Sequence, residues 1–225
     1  MLVYGKQVFL YILEKYPNLI EEIILAKELD KKLFSKVSRL DKKIIKVDNQ
    51  KAQALAKGKN HQGFFLRIKD YELTPFETMK NFNFLIVLVG VTDVGNIGAV
   101  IRSAYALGVD GIIVSDIKSL NFEGVARSSS GALLDMPICL MPNTLDLMNE
   151  LKQVDFTLFG ATMNGSDVRD ISFNSKKVLF LGSEESGLNR KVLSKIDKKI
   201  SIVMSREFDS LNVSTAAAIL IDRMR

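Results

Sequence analysis

Cysteine, histidine and tryptophan are almost missing from this chain, whose 225 residues hold one cysteine, one histidine and no tryptophan. Cys139 alone cannot form an intramolecular disulfide. With His61 as the only imidazole, neither a Cys/His metal cluster nor a Ser-His-Asp triad has its parts. No apolar run reaches the roughly 18–20 residues that span a bilayer. The first apolar stretch is cut short by Glu14 and Lys15, without the pattern of a secretory signal. The expectation is a cytoplasmic protein with no metal and no membrane partner. Internal repeats and low-complexity stretches are also absent, and an apolar share of 47% is ample for a packed core.

Charge is present but unevenly placed. Residues 1–69 carry 15 Lys and Arg against 7 Asp and Glu, and residues 70–225 carry 16 against 19. A net +8 beside a net −3 predicts two units with different tasks, the basic one suited to a polyanion. In the first unit, Val8–Leu13 reads as a helix ending before Pro17. Ile23–Leu25, Ile44–Val47 and Phe64–Ile68 read as strands, and 30–39 as a surface helix with Leu33, Phe34 and Val37 inward. Asp48 caps a helix through Leu55. Phe64 and Phe65 point to opposite faces of their strand, so at least one is core and the pair is no base-stacking platform. Residues 70–81, with Pro75, read as a linker.

From residue 82 the pattern alternates between continuous apolar strands and helices. Strands are expected at 84–89, 111–114, 138–140, 156–161, 178–181 and 200–204, and helices at 96–107, 145–151, 189–195 and 211–224. This is the signature of a parallel α/β sheet covered on both faces, which binds ligands beyond the carboxyl ends of its strands. The polar strand-end loops are therefore the places to seek chemistry.

The first such loop, Gly90 to Arg102, has neither the Gly-Lys-Ser/Thr of a phosphate-binding loop nor a Gly-x-Gly-x-x-Gly. Asn96 fits an N-cap there, and Arg102 leaves the apolar stripe for another face, either as a surface charge or toward substrate. The second, Gly182 to Leu188, reads as an ordinary turn or as backbone wrapped round a small ligand. A third lies at the C-terminus, where Ile202-Val203-Met204 runs through a polar loop into Ser210-Leu211-Asn212-Val213-Ser214; helix capping by Ser210 or Asn212 and ligand contact both fit. The stretch Gly160 to Gly165 is a weaker fourth, and Arg127 to Ala132 either holds a phosphate or is a plain loop.

Asn96-Ile97-Gly98-Ala99-Val100-Ile101-Arg102, Leu181-Gly182-Ser183-Glu184-Glu185-Ser186-Gly187-Leu188 and Ser210-Leu211-Asn212-Val213-Ser214-Thr215-Ala216-Ala217-Ala218 resemble, in that order, the three motifs of the SpoU (TrmH-type) RNA ribose 2′-O-methyltransferases of the SPOUT superfamily. The basic first unit is similar to the ribosomal-protein-like RNA-binding domain of many members, with Val3-Tyr4-Gly5 and Asn60-His61-Gln62-Gly63 as its recognisable points. The resemblance implies a parallel-sheet SPOUT domain over 82–225 with a C-terminal trefoil knot, preceded by a small α/β substrate-binding domain over 1–69. It implies S-adenosylmethionine as cofactor, held by Gly160, Thr162, Leu181, Gly182, Gly187, Ile202, Met204, Ser210 and Leu211. It also implies a homodimer acting on RNA, with Arg102, Asn96, Glu184 and Asn212 as catalytic positions. His61 and Gln62 either touch RNA or serve structure. Val94, Ser183, Ser186 and Ser205-Arg206 depart from common family residues, which bears on loop conformation rather than on any catalytic side chain. The two-unit layout is most similar to members that methylate a guanosine in 23S rRNA. A tRNA ribose methyltransferase and a non-catalytic RNA-binding assembly factor are the rival readings.

Overall fold

The computed structural model of the chain describes residues 1–206 and 209–225; Glu207 and Phe208, in the polar loop before the last helix, lie outside the described residues. The basic region builds a four-stranded sheet from β1 (Leu2–Tyr4), β2 (Ile20–Leu25), β3 (Lys43–Lys46) and β4 (Phe64–Ile68), in the order β1-β4-β2-β3. Only the β2/β3 pair is parallel. Between the strands run α1 (Lys6–Lys15), α2 (Lys31–Ser38) and α3 (Asn49–Leu55). Alternation along β4 splits the core as its period of two requires. Phe64, Leu66 and Ile68 pack with Phe9, Ile12 and Val37 of α1 and α2, while Phe65 packs with Ala52 and Ala56 of α3 on the other face. Both phenylalanines are core. Asp48 accepts from Lys51 N–H and caps α3 as its sequence context predicts, and Asp30 does the same for α2 at Leu33. Phe34 departs from expectation: it is 52% exposed, because the short α2 turns only Val37 fully inward, with Leu33 half-buried.

The expected linker is not free chain. It carries the short helix α4 (Phe76–Met79), whose Met79 is fully buried, and Tyr71 donates its hydroxyl to the Met136 carbonyl at 2.7 Å and accepts from Ile138 N–H.

The rest of the chain forms a six-stranded, all-parallel sheet. Its strands are β5 (Phe84–Val89), β6 (Gly111–Ser115), β7 (Ile138–Met141), β8 (Thr157–Asp167), β9 (Lys177–Gly182) and β10 (Lys198–Ser201), in the order β10-β8-β9-β5-β6-β7. The helices are α5 (Val94–Ala106), α6 (Phe122–Ser128), α7 (Thr144–Gln153), α8 (Arg190–Lys195) and α9 (Val213–Met224). All six residues of β5 are buried, as a central strand covered on both faces demands. Phe84, Ile86 and Leu88 join the core under α5, α6 and α9; Leu85, Val87 and Val89 join the one under α4, α7 and α8. The chain moves outward from β5 through β6 and β7, then crosses over to lay β9 beside β5. The strand order therefore reverses at β5, the place where open α/β sheets leave a crevice for ligands.

Two elements carry no legible sequence signal: β1, which is only three residues long, and α6, which hides in a Ser- and Gly-rich stretch. Arg127 and Ser128 belong to that helix rather than to a loop. The Ser128 hydroxyl donates to the Val94 carbonyl at 2.7 Å, so it ties α6 to the start of α5 instead of facing a phosphate.

The two sheets are joined through α1, β1 and α6. The Leu2 N–H donates to Glu123, and the Arg127 guanidinium lies over the Tyr4 ring. Asp135 accepts from the hydroxyls of both Tyr11 and Tyr16, with Lys15 3.8 Å from its carboxylate. Gly131 lies against the Tyr11 ring at φ +96°, where a Cβ would be both strained and obstructed. Burial and the Asp135 bond push the Tyr16 phenol up to about 12, and the same two causes raise Tyr11. For Tyr16 the sign follows from a folded value above the ordinary 10.0: the contribution is whole below about pH 10 and is lost as pH rises through about 12.

Asp135→Ala would leave both phenols without their acceptor. We expect it to lower the unfolding free energy by about 1–3 kcal/mol in urea titrations at pH 7, with Asp135→Asn in between. Wild-type stability in the alanine variant would show that this contact holds nothing together.

Candidate active site

Beyond the ends of β8, β9 and β10 lies a cleft of about 650 Å³. Three strand ends build it, and each supplies a stretch that sequence analysis singled out. The β8 wall is a bulge. Lys199 pairs with Gly160 and the next residue, Ile200, pairs with Ser166, so residues 161–165 stand out of register opposite a single step of β10. The expected loop after Gly160 is thus part of a longer strand. Its Gly165 has no room for a side chain, since a Cβ would come within 2.5–2.7 Å of the Ile200 backbone. Ala161, Thr162, Met163 and Asn164 of the bulge line the cleft.

The second wall follows β9. Ser183 and Gly187 bridge across a tight turn, closed by the Gly187 N–H to Ser183 carbonyl bond at 2.8 Å. Gly187 takes φ +60°, and a Cβ on Gly182 would overlap the Gly187 backbone. A glycine at 182 is a condition of the turn existing at all. The third wall is made by Ile202 and Met204 after β10 and by Asp209, Ser210, Leu211 and Val213 at the approach to and start of α9.

Of the nine expected cofactor positions, Thr162, Leu181, Gly182, Gly187, Ile202, Met204, Ser210 and Leu211 line this cleft. Gly160 does not; it sits one residue before the wall, where its missing side chain makes room for Ile196 at 3.0 Å. The Oγ1 of Thr162 is buried and has no hydrogen-bond partner among the described residues. A buried hydroxyl without a partner is costly, which marks it as a group awaiting one. Among the described residues the lining also has a charge sign: Glu184, Glu185 and Asp209 against Lys199.

At the cleft rim three of the four expected catalytic residues meet. The Asn212 side-chain amide donates to Asn96 Oδ1 at 2.9 Å and to Glu184 Oε1 at 2.5 Å, while its own Oδ1 accepts from Ser214 N–H at 2.9 Å and from the Ser214 hydroxyl. Asn212 is therefore the N-cap of α9 as well as the tie between three loops. Asn96 itself is no cap. The cap of α5 is Asp93, which accepts from Asn96 N–H at 2.7 Å, so the helix begins two residues earlier than its apolar stripe suggests. Arg102 stands apart. It is exposed on α5, outside the cleft lining, and makes no ion pair among the described residues.

His61 is away from this site, in the first unit. It is buried, stacks on Phe65 with ring centroids 4.9 Å apart, and its Nδ1 accepts from Gly63 N–H at 3.0 Å. The structural reading of this residue is the one the geometry carries. Gln62 is exposed and accepts from Lys6 N–H at 2.9 Å. Among the described residues no group of three or more His, Cys, Asp or Glu side chains is arranged to hold a metal ion.

Two family models match the chain. The SpoU rRNA Methylase family covers residues 83–222, and RNA 2′-O ribose methyltransferase substrate binding covers residues 2–74. The chain belongs to the SpoU rRNA methylase family. It is 31% identical over 232 residues to the 23S rRNA (guanosine-2′-O-)-methyltransferase RlmB of Haemophilus ducreyi, covering 97% of this chain and 94% of that protein. The SpoU methyltransferase AviRb of Streptomyces viridochromogenes, solved in complex with AdoMet, superposes with a TM-score of 0.80 at 23% identity over 100% of this chain and 88% of that one. The TrmH/SpoU tRNA modifying enzyme of A. aeolicus matches at TM-score 0.55 and 25% identity, over 63% of this chain and 73% of its own.

Asn212→Asp separates the two tasks of this residue, because aspartate caps helices as well as asparagine but cannot donate. We expect a loss of about 1–2 kcal/mol in chemical denaturation from the two donated bonds and the new repulsion beside Glu184. A loss of no more than a few tenths would reduce Asn212 to a cap. Thr162→Val removes the unpartnered hydroxyl at constant shape and should leave the ligand-free protein as stable or up to about 1 kcal/mol more so; a clear destabilisation would reveal a partner for that group.

Proposed function

We propose that this SpoU-family protein transfers a methyl group from S-adenosylmethionine to a ribose 2′-hydroxyl of RNA, and that the RNA is ribosomal, with a guanosine of 23S rRNA as the target. The observation that carries the cofactor half is the cleft: about 650 Å³, walled by tight glycine backbone, with an orphaned Thr162 hydroxyl and a net acidic lining. Acidic side chains suit the cationic sulfonium and ammonium of this cofactor and disfavour a phosphate-bearing nucleotide. Thr162, Leu181, Gly182, Gly187, Ile202, Met204, Ser210 and Leu211 would hold it. When bound, it supplies an electrophilic methyl on sulfur.

The chain's own residues would then position the ribose. Asn212, kept in place by Asn96, and Glu184 are the candidates to orient the hydroxyl at the rim. Arg102 is the candidate to stabilise the oxyanion as the proton leaves. A guanidinium stays protonated near neutrality and is a poor base, so we assign it to charge stabilisation and to an adjacent phosphate. Its exposure outside the cleft lining fits a homodimer in which a second copy completes the site, as the family resemblance implies. The same resemblance implies the trefoil knot; the insertion of β9 between β8 and β5 and the return of α9 onto α5 are compatible with it.

Ribosomal RNA is preferred over tRNA because similarity to the Haemophilus ducreyi enzyme runs through the first unit as well, whereas the A. aeolicus tRNA enzyme matches 63% of the chain. The deciding measurement is transfer of labelled methyl to total RNA from a strain lacking the gene, followed by mapping of the modified nucleotide. Label in tRNA alone would overturn the rRNA assignment, and no label in any RNA the enzymatic one. In the same assay Arg102→Ala should lose about a hundredfold or more in kcat with calorimetric cofactor affinity within a few-fold of wild type, whereas near-wild-type turnover would remove its catalytic role. Thr162→Val should weaken cofactor binding about tenfold.

A further inference from the structure

The positive charge of the first unit is concentrated in one segment. Residues 31–59 hold ten Lys and Arg and only two acids, Asp41 and Asp48, a net of +8; residues 1–30 and 60–69 together hold five of each sign. The whole excess of the unit therefore sits on α2, β3, α3 and the turns between and just after them. Asp48 is already occupied as the cap of α3, and the segment's one ion pair among the described residues is Lys43 with Glu22 at 3.2 Å. The remaining cations face water without a counter-charge, which costs self-repulsion and is what a polyanion relieves.

Their place in the fold is equally specific. β3 is the free edge of the four-stranded sheet, at the opposite end from β1, which abuts α6 of the second sheet. Three strand spacings, about 14 Å, separate the two edges. Lys43 and Lys46 flank β3 and are exposed, and Lys32, Lys36 and Arg39 are exposed on α2 and just beyond it. On the same helix, one turn from Lys31, lies Phe34, 52% exposed. A large exposed aromatic on a short, lysine-rich helix is what can stack an unpaired base while the cations track the backbone.

We propose that the α2–β3 edge is the surface by which the substrate-binding unit grips RNA, and that Phe34, exposed on α2, holds an unpaired nucleotide at a point distant from the methylated ribose. This rests on the reading of the protein as an RNA methyltransferase and adds the location and the mode of the grip. With Asp135 tying the units together, the distance from this edge to the cleft becomes a fixed span that an RNA must bridge.

The test uses the full-length protein and deproteinised 23S rRNA. Lys32→Gln/Lys36→Gln/Arg39→Gln should reduce the slope of log Kd against log salt by about 2–3, since each lost phosphate contact removes about 0.7–0.9. Phe34→Ala should weaken binding about tenfold without changing that slope, and Phe34→Tyr should restore it. Thermal midpoints and cofactor affinity should match wild type, because the altered side chains are exposed and far from the cleft. Wild-type affinity and slope in the triple variant would overturn the proposal. So would variants that bind naked rRNA normally yet lose binding to protein-bearing ribosomal particles, which would assign the edge to an acidic protein. Methyl transfer by the wild-type protein in the same preparation separates these outcomes from failure of the enzymatic reading, which would show as RNA binding without transfer.

Discussion

The side chain of Asn212 is the point on which the cleft depends. A carboxamide has two N–H donors and one carbonyl, and here every one of them is engaged: the donors on Asn96 and Glu184, the carbonyl on Ser214. No other short side chain has both functions at one length. Aspartate lacks the donors, and glutamine would carry the amide beyond reach. The three residues it joins arrive from the ends of β5 and β9 and from the start of the last helix, so one side chain fixes the relative position of loops up to 116 residues apart in sequence. Because the strand order reverses at β5, those loops have no backbone ladder to align them beyond the strand ends, and the side-chain tie takes over that role.

How much of this was legible in the sequence depended on which physical signal each element carries. Central strands carry the strongest one. Phe84–Val89 is apolar throughout and was placed to the residue, because burial on both faces leaves no polar position to blur its ends. The cap of α3 at Asp48 was also readable, since capping is local. The β8 strand was cut short at residue 161 because Thr162, Asn164, Gly165 and Ser166 look like a turn; the bulge that keeps them in strand is set by β10, forty residues later. Asn96 was misread as a cap because Asp93, three residues earlier, lies before the apolar stripe that marks the helix. For the site, eight of nine expected cleft positions meet in one cavity and three of four expected catalytic residues meet at its rim. The link among those three could not be read locally, because each belongs to a different loop.

The first unit shows the opposite case, in which composition was informative and periodicity less so. Its excess charge was visible, yet the arrangement along one edge emerges only when the sheet order is known. The exposure of Phe34 follows from α2 being eight residues long: such a helix presents little more than one full inward turn, here Val37 with Leu33 half-buried, and the neighbouring aromatic is left in water. Its attachment to the second sheet was invisible as well. Asp135, Tyr11 and Tyr16 carry no motif, and Gly131 reads as part of a loop until the Tyr11 ring is seen against it.

Charge then divides the molecule into two zones of opposite sign. The cleft lining carries three acids and one lysine, while the distal edge carries the surplus cations. On the proposed grip, an RNA backbone would be drawn to the edge and repelled by the cleft, so affinity and chemistry would be supplied at different places. This separation has a physical advantage for a reaction at a ribose hydroxyl. A cleft attractive to phosphates would bind any RNA in many registers near the reactive centre, whereas an acidic one admits a cationic cofactor and lets a nucleotide approach only when binding elsewhere holds it there. Arg102 lies outside the cleft lining on the exposed side of α5, so it does not neutralise the acids within. If a distant grip sets the span to the cleft, register rather than raw affinity becomes the quantity that selects the nucleotide.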